Sequence, residues 1–332
     1  MNIKKVGLTA LATSLVATSV SAGELTLSGN AMISYSDFSG NQADTAILDK
    51  RGHSKIGLDQ QIAASGSGEL DNGWTVSVTH YIESGGGGSD TSSISLGMGD
   101  LGTLSYTQDD AGGGVKAIDD LTPTAYEEAW DGPQGTDWAA MSTGNAFVYS
   151  NTFAGAAVSI MYSENLTGPD NQDDGAVATD GDGVSGGTST SISVVYPVGD
   201  TGLTVYAGTG KEGQSDKKEL DHDAIGIKYA FGPVTVGYQR NEQDDTAASS
   251  AVDLETTMIG VSFMVNDNLA ISYGQNNTEK TGTSVDQELE AINVSYTMGG
   301  MTIAAYSAKG DNIGNVAATT SDKNEVRLSF AF

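Results

Sequence analysis

Residues 225–238 read IGIKYAFGPVTVGY, and this stretch shows the pattern that decides the fold. Apolar side chains occupy every second position of each half, and Gly232 and Pro233 separate the two halves. Alternation with period two is typical of a β-strand with two different faces, and a Gly-Pro pair between two such runs favours a tight turn. The stretch therefore predicts an antiparallel hairpin.

The same pattern repeats along the rest of the chain. We count about sixteen alternating segments of roughly 8 to 13 residues, joined in turn by tight turns and by long polar loops. Short turns at one rim and long loops at the other are typical of a transmembrane β-barrel, whose strands need ~9–11 residues to cross the bilayer. In lipid, a closed barrel is the sheet that pairs every backbone N–H and C=O. We predict an all-β fold, an antiparallel up-and-down barrel of about sixteen strands.

The aromatic residues sort to two levels of this barrel. Aromatic residues end the outward face just before the short turns: Phe153, Tyr196, Phe231, Phe263, Tyr296 and Phe332. Others lie near the loop ends: Tyr35, Tyr106, Tyr162, Tyr238 and Tyr273. Two such belts are expected at two membrane interfaces, where an amphipathic ring is most stable. Tyr206 and Tyr306 fall on the inward face instead.

The N-terminus has the features of a cleaved signal peptide. Lys4 and Lys5 form a cationic start, an uncharged stretch with many small residues follows, and Ala22 ends a small-residue cleavage pattern. The stretch is too short and too polar to span ~30 Å of hydrocarbon stably. We therefore expect a signal peptide at residues 1–22 and a single barrel domain at residues 23–332.

The chain is strongly acidic and contains no cysteine. It carries 43 Asp and Glu against 15 Lys and Arg, a formal net charge of −28 at pH 7, which becomes −30 once Lys4 and Lys5 leave with the signal peptide. This charge excludes nucleic acid as a partner, because phosphate binding needs a cationic surface. Since no cystine stabilises the exported chain, an extensive hydrogen-bonded sheet is the expected source of stability.

The longest segment without strand pattern, Gln108 to Asn145, is rich in carboxylates and has Lys116 as its basic residue. Its acidic residues are Asp109, Asp110, Asp119, Asp120, Glu127, Glu128, Asp131 and Asp137. One interpretation is a solvated acidic loop. The other is a set of carboxylates at the narrowest point of a pore, which selects ions by charge. Tyr126 and Trp130 flank Glu127 and Glu128 and are candidate anchors of the segment.

Four basic or titratable residues are candidates for the pore wall that faces these carboxylates. Strand alternation places His53, Lys55, Lys228 and Arg327 on the inward face. The second and last strands both flank the first in a closed barrel, so Lys55 and Arg327 are expected on one part of the wall. A structural ion pair is the alternative role for each of them.

Other motifs do not support a cofactor or an enzyme. Residues 208–213 match G-x-G-x-x-G, but no helix pattern follows to receive a phosphate. Three histidines form no zinc motif. An acidic stretch offers weak, loosely bound Ca²⁺ candidates, although glycine occupies the position of the bidentate Glu. These candidates are Asp170, Asp174, Asp180 and Asp182. We predict no enzymatic activity and no cofactor.

Three stretches carry a resemblance to a known family. Residues 326–332 read VRLSFAF and end in Phe330 and Phe332, residues 97–104 read GMGDLGTL, and residues 145–155 read NAFVYSNTFAG. Together they resemble the Gram-negative general porins, in particular the sixteen-stranded α-proteobacterial type. The C-terminal stretch resembles the signal that such barrels present to the assembly machinery. The chain departs from the enterobacterial pattern, because the segment Gln108 to Asn145, which corresponds to the third loop of these porins, lacks the Pro-Glu-Phe-Gly signature.

The resemblance implies a function and partners. A porin of this type is a homotrimer in the outer membrane, in contact with lipid and lipopolysaccharide, and its third loop folds into the lumen. It passes ions and small hydrophilic solutes by passive diffusion, and the acidic excess predicts a preference for cations. Two alternatives remain at this point: a substrate-selective channel on the same barrel, and a secreted, acidic, β-rich adhesin or Ca²⁺-binding structural protein.

Overall fold

The computed structural model shows a closed antiparallel barrel of sixteen strands. Each strand pairs with its neighbours in sequence, and the last strand pairs with the first, so the sheet has no free edge. The structure describes residues 25–41, 55–83, 92–108, 112–133, 135–141, 145–164, 187–213, 219–246 and 252–332. The predicted signal peptide, His53, Asp109, Asp110 and the four Ca²⁺ candidates lie outside these residues.

The strands are β1 (Leu25–Gly40), β2 (Lys55–Glu69), β3 (Thr75–Glu83), β4 (Ser92–Gly97), β5 (Thr103–Thr107), β6 (Ala146–Phe153), β7 (Ala156–Glu164), β8 (Thr188–Pro197), β9 (Leu203–Gly213), β10 (Glu219–Phe231), β11 (Val234–Asp245), β12 (Leu254–Asn266), β13 (Leu269–Lys280), β14 (Gln287–Met298), β15 (Met301–Asp311) and β16 (Thr320–Ala331). The predicted barrel and its strand number are confirmed.

The predicted strand lengths are wrong at both extremes. β1 has 16 residues, whereas β4 has 6 and β5 has 5. The long strand continues past its apolar positions into polar residues, where ladder pairing persists without an apolar face to mark it. β4 and β5 are joined by the short turn at Gly99–Leu101, and their ladder contains only the pairs from Ser93 with Thr107 to Gly97 with Thr103.

The two faces of the wall differ as the alternation predicts. Val261 and Ile271 are exposed outward, and Ser272, next to Ile271, faces inward and is buried. The six aromatic residues at the short-turn side are all exposed, by 37–73%. Tyr206 and Tyr306 are only 2% and 3% exposed, as expected for inward-facing residues. The alternation therefore gives the correct phase on these strands.

The short turns depend on glycine. Gly232, between β10 and β11, has φ of 57°, and Gly299, between β14 and β15, has φ of 59°. A residue with a Cβ is strained in this left-handed region, so glycine lets the chain reverse in two residues. Three short 3₁₀ helices occur among the described residues, at Gly99–Leu101, Gly114–Ala117 and Ile313–Asn315. Within those residues, no helix is both long enough and apolar enough to cross a membrane.

The phase of β12 can be tested by inserting charge. Val261 is exposed on the apolar outer face, and its neighbour Ser262 points to the other side of the strand. We expect Val261→Arg to destabilise the barrel by roughly 2–4 kcal/mol, because it places a cation in hydrocarbon, and Ser262→Arg to be tolerated. Urea unfolding in lipid vesicles measures the difference. Equal loss of stability in the two variants would contradict the assigned phase.

Candidate functional site

The segment between β5 and β6 contacts the inward face of the wall. We call its described parts, residues 112–133 and 135–141, the third loop. At its start, the backbone N–H of Gly114 donates to Ser159 Oγ on β7 (2.9 Å), and the N–H of Val115 donates to Ser191 Oγ on β8 (3.1 Å). The loop therefore begins against β7 and β8, opposite the apolar outer surface.

Two amide side chains of β11 bind the next part of the loop. Gln239 accepts a hydrogen bond from the N–H of Leu121 (3.0 Å) and donates one to the carbonyl of Ile118 (2.8 Å). Asn241 donates to the carbonyl of Asp119 (2.8 Å). Because an amide carries both a donor and an acceptor, a single side chain can satisfy two backbone groups that have left the sheet.

Two amides of β14 repeat this arrangement farther around the barrel. Asn293 accepts from the N–H of Glu127 (3.2 Å) and donates to its carbonyl (2.9 Å). Gln287 does the same for Asp137, with distances of 3.0 and 2.6 Å. None of these four amides was predicted from the sequence as a functional residue. The available signal was weak: each is a large polar residue at an inward position of a strand.

A network around Glu325 fastens the middle of the loop to β16. The Tyr126 hydroxyl donates to Glu325 Oε1 (2.8 Å), and Arg327 Nη2 lies 2.9 Å from the same oxygen. Arg327 also pairs with Glu127 (3.2 Å) and lies over the Tyr126 ring, 4.9 Å from its centroid. Lys323 pairs with the other Glu325 oxygen (3.1 Å). Arg327 is therefore an inward residue next to the loop, and it is already ion-paired.

Three carboxylates form a tight group at the turn of the loop. Oxygens of Glu127, Glu128 and Asp131 all lie within 4.8 Å of one another, and the N–H of Glu128 donates to Asp131 Oδ2 (2.8 Å). Burial, followed by the hydrogen bond and charge of Asp131, raises the pKa of Glu128 to about 9. The same causes raise the pKa of Glu127, and the charge of Arg327 partly offsets this increase. Glu128 is thus protonated at neutral pH.

The same three residues are the candidate ligands for a divalent cation. Carboxylate oxygens are the ligands that Ca²⁺ and Mg²⁺ prefer. However, the Arg327 guanidinium already balances Glu127 in this arrangement. We assign no metal to the group.

The other described carboxylates of the loop, Asp119, Asp120 and Asp137, differ in burial and pairing. Asp119 is buried, at 5% exposure. Burial and the nearby charge of Asp131 raise the pKa of Asp120. Asp137 forms an ion pair with Lys280 on β13, a basic residue that was not among those predicted from the sequence. Burial and pairing therefore leave fewer free charges among the described carboxylates of the loop than the count of acidic residues suggests.

The predicted basic wall is only partly described. Lys228 lies on β10 at an inward position, between the exposed outward residues Ile227 and Tyr229. The backbone of Lys55 pairs with Ser36 of β1, two residues from the position that pairs with Arg327, so both flank β1 as expected. The side chain of Lys55 lies outside the described residues, as does His53.

The inward face differs between the two halves of the barrel. On β8, the inward residues Ser189, Ser191 and Ser193 are 0–5% exposed. On β3 and β4, the inward residues Ser77 and Ser95 remain partly exposed. The same residue type is therefore covered in one half and open in the other. Inward residues such as Ser77 and Ser95 are therefore accessible to water, whereas the inward Ala146 of β6 is buried against the third loop.

The protonated state of Glu128 predicts a pH dependence of stability. The pKa of Glu128 in the folded protein lies above its ordinary value of 4.5. Glu128 therefore contributes fully to the stability of the fold below pH 4.5, and this contribution is lost as the pH rises through about 9. We expect the unfolding temperature of the detergent-solubilised barrel to fall over this range. In Glu128→Gln, which cannot lose a proton, the fall should be smaller. An identical pH profile for the two proteins would show that Glu128 is not the group responsible.

Fold and site together define a class of protein, a transmembrane β-barrel channel with a long inward-contacting loop. Residues 7–316 match the family described as Gram-negative porin, and the chain belongs to that family. Members of this family are channels of the outer membrane, so the predicted location and the absence of an enzymatic role are confirmed. The alternative of a secreted adhesin or structural protein is excluded.

Solved structures with the same fold cover nearly the whole chain at low sequence identity. An anion-selective porin from Comamonas acidovorans is 16% identical with a TM-score of 0.68, and the match covers 93% of this chain and 100% of that one. OmpT of Vibrio cholerae is 11% identical with a TM-score of 0.68, covering 95% and 99%. Salmonella typhi OmpF is 14% identical with a TM-score of 0.67, covering 93% and 98%. No curated protein matches the sequence of this chain. These likenesses concern the fold alone.

Proposed function

We propose that this porin is a cation-preferring diffusion channel whose third loop folds into the lumen and narrows it. The hydrogen bonds from the loop backbone to inward side chains of β7, β8, β11 and β14 support this position. Ions and small hydrophilic solutes would pass through the half of the lumen that the loop leaves open. Inward-facing charge near that passage then decides which ions are preferred.

The distribution of inward charge is the observation that carries the cation preference. Among the described side chains on the inward faces of β1–β6, the charged ones are Asp59 and Glu69, and both are acidic. On the loop side, Lys280, Lys323 and Arg327 are each paired with a carboxylate. Acidic groups therefore dominate the field in the passage, even with Glu128 protonated.

The fold itself does not determine the sign of selectivity. The Comamonas acidovorans porin has the same fold and is named as anion-selective. Selectivity must therefore come from side chains, which differ at more than four-fifths of the aligned positions between the two proteins.

A homotrimer in contact with lipid and lipopolysaccharide is the proposed assembly. Ile56 and Leu58 on the outer face of β2 are 80% and 66% exposed, more than most apolar residues of the wall. Contact with a second copy or with lipid would cover this surface. Conductance that appears in steps of three equal units would support the trimer, whereas single independent steps would contradict it.

The C-terminal strand is the proposed signal for the barrel-assembly machinery. Phe332 exchanges two backbone hydrogen bonds with Gly29 (2.8 and 2.9 Å), so it closes the seam between β1 and β16, and its side chain is 73% exposed. Phe330 is also exposed outward on β16. We expect deletion of Phe332 to lower the outer-membrane level sharply without reducing export across the inner membrane. Normal membrane levels of the truncated protein would contradict this role.

Ion replacement tests the proposed function in a planar bilayer. Replacing K⁺ by a bulky organic cation should lower the conductance more than replacing Cl⁻ by an organic anion of similar size. A larger effect of the anion replacement would contradict the cation preference. A current that saturates with one particular solute would instead favour the substrate-selective alternative, since a diffusion channel shows no such saturation.

A further inference from the structure

The inward face of strands β1–β5 carries an ordered array of hydroxyl groups. Strand pairing places five of them side by side, in the order Thr26, Ser65, Thr79, Ser93, Thr107 across β1–β5. A second row runs parallel to it, in the order Ser67, Ser77, Ser95, Ser105 across β2–β5. We call these nine residues the hydroxyl wall. Neighbours within a row are about 5 Å apart, and the rows are separated by about 7 Å.

The hydroxyl wall is accessible to water and uncharged. None of its nine residues is buried, whereas Ser189, Ser191 and Ser193 on the inward face of β8 are covered. Two hydrogen bonds join residues within the wall: Ser65 Oγ with Thr79 Oγ1 (3.0 Å), and Thr26 Oγ1 donating to the Ser65 carbonyl (3.4 Å). Lys55 on β2 is a basic residue at an inward position of β1–β6, and its side chain lies outside the described ones. The wall therefore presents neutral hydroxyl groups to water on the inward face of β1–β5.

Hydroxyl groups determine which solutes such a surface favours. Each hydroxyl can donate one hydrogen bond and accept two, so it can replace the water around a solute that carries hydroxyls of its own. An uncharged wall offers no counter-charge to an anion that has to pass the carboxylates of the loop. Because the wall holds a solute only through neutral hydrogen bonds, the solute also leaves easily.

We propose that solutes permeate along the hydroxyl wall and that its hydroxyls are the specificity-determining groups for neutral polyhydroxylated solutes. This inference rests on the proposed diffusion function and names its path and a second solute class. Cation preference comes from the carboxylates, and permeability to polyols comes from the wall. The two properties are carried by different residues and can be changed separately.

Cysteine labelling tests the path, since the chain contains no cysteine of its own. Ser95→Cys should react with a membrane-impermeant, positively charged methanethiosulfonate reagent, with a loss of conductance and of cation preference. Ser191→Cys, at a covered inward position, and Ile94→Cys, on the lipid face, are the matched controls and should not respond. An unreactive Ser95→Cys, or an equally fast reaction of Ser191→Cys, would overturn the proposed path.

Removal of hydroxyls tests their role in specificity. A Ser77→Ala, Ser93→Ala, Ser95→Ala variant should lower the rate of liposome swelling in arabinose, relative to KCl conductance, by about two- to fivefold, as expected for loss of about one neutral hydrogen bond. The control is Thr297→Val with Thr302→Val, an inward hydroxyl pair (3.0 Å) on β14 and β15. Unchanged arabinose permeation would overturn the role of the wall.

The reversal potential of the unsubstituted protein is measured in parallel. An anion preference there would refute the proposed function and leave the labelling result standing.

Discussion

A Glu127→Gln channel is expected to lose most of its preference for K⁺ over Cl⁻ at pH 7. The substitution removes a carboxylate that pairs with Arg327 at 3.2 Å. Arg327 then shares its remaining partner, Glu325, with Lys323, so two cations face one carboxylate at this point of the loop. Because a charge acts on a passing ion within about a Debye length, ~8 Å at physiological salt, this local excess of positive charge opposes cation passage. The reversal potential across a KCl gradient measures the change.

The adjacent carboxylate provides the matched control for this prediction. Glu128 has its pKa raised to about 9 by burial and by Asp131, so it carries no charge at pH 7. Glu128→Gln should therefore leave the reversal potential at pH 7 nearly unchanged. A larger effect of Glu128→Gln than of Glu127→Gln would show that the charge states assigned to the loop are wrong.

A Gly260→Val channel is expected to have a displaced third loop. Pro123 lies against Gly260 on β12, and a Cβ at this position would be 2.7 Å from the Pro123 carbonyl oxygen and 2.9 Å from Pro123 Cδ. Such overpacking typically costs about 1–3 kcal/mol, and the loop can relieve it by moving away from the wall. We expect larger fluctuations of the single-channel current and a weaker cation preference.

Gly274 provides the matched control for the contact between Gly260 and the third loop. It lies directly opposite Gly260 on β13, but a Cβ there would have an ordinary contact of 3.8 Å, with the carbonyl of Ile259. Gly274→Val should therefore conduct as the unsubstituted channel does. If both valine variants show normal current noise and selectivity, then the contact with Pro123 does not hold the loop in place.

The barrel was predictable from the sequence because its determinants are local. Alternation over a few residues gives the face of each strand, and glycine pairs such as Gly299 and Gly300 give the turns. In a closed up-and-down barrel each strand pairs with its neighbours in the chain, so topology needs no further information. The ends of β1 and β5 were less predictable, since pairing stops for reasons that the apolar pattern does not record.

The site was less predictable because its contacts are distant in sequence. Gln239 binds the backbone of Leu121 across 118 residues, and Tyr126 binds Glu325 across 199. A count of acidic residues treats Asp119 and Glu128 as equal charges. In the structure Asp119 is buried, and burial raises the pKa of Glu128 to about 9. Burial depends on the path of the third loop across the wall. That path is set by amides and glycines whose role appears only once the strands are paired.

The reversal potential of the unsubstituted protein in a planar bilayer, under a KCl gradient at pH 7, tests the central claim most directly. The inward carboxylates outnumber the unpaired inward cations among the described side chains, and on β1–β6 the charged inward side chains described, Asp59 and Glu69, are both acidic. We predict stepwise conductance and a reversal potential of the sign that K⁺ preference gives, which decreases as salt concentration rises. A reversal potential of the opposite sign would contradict the account.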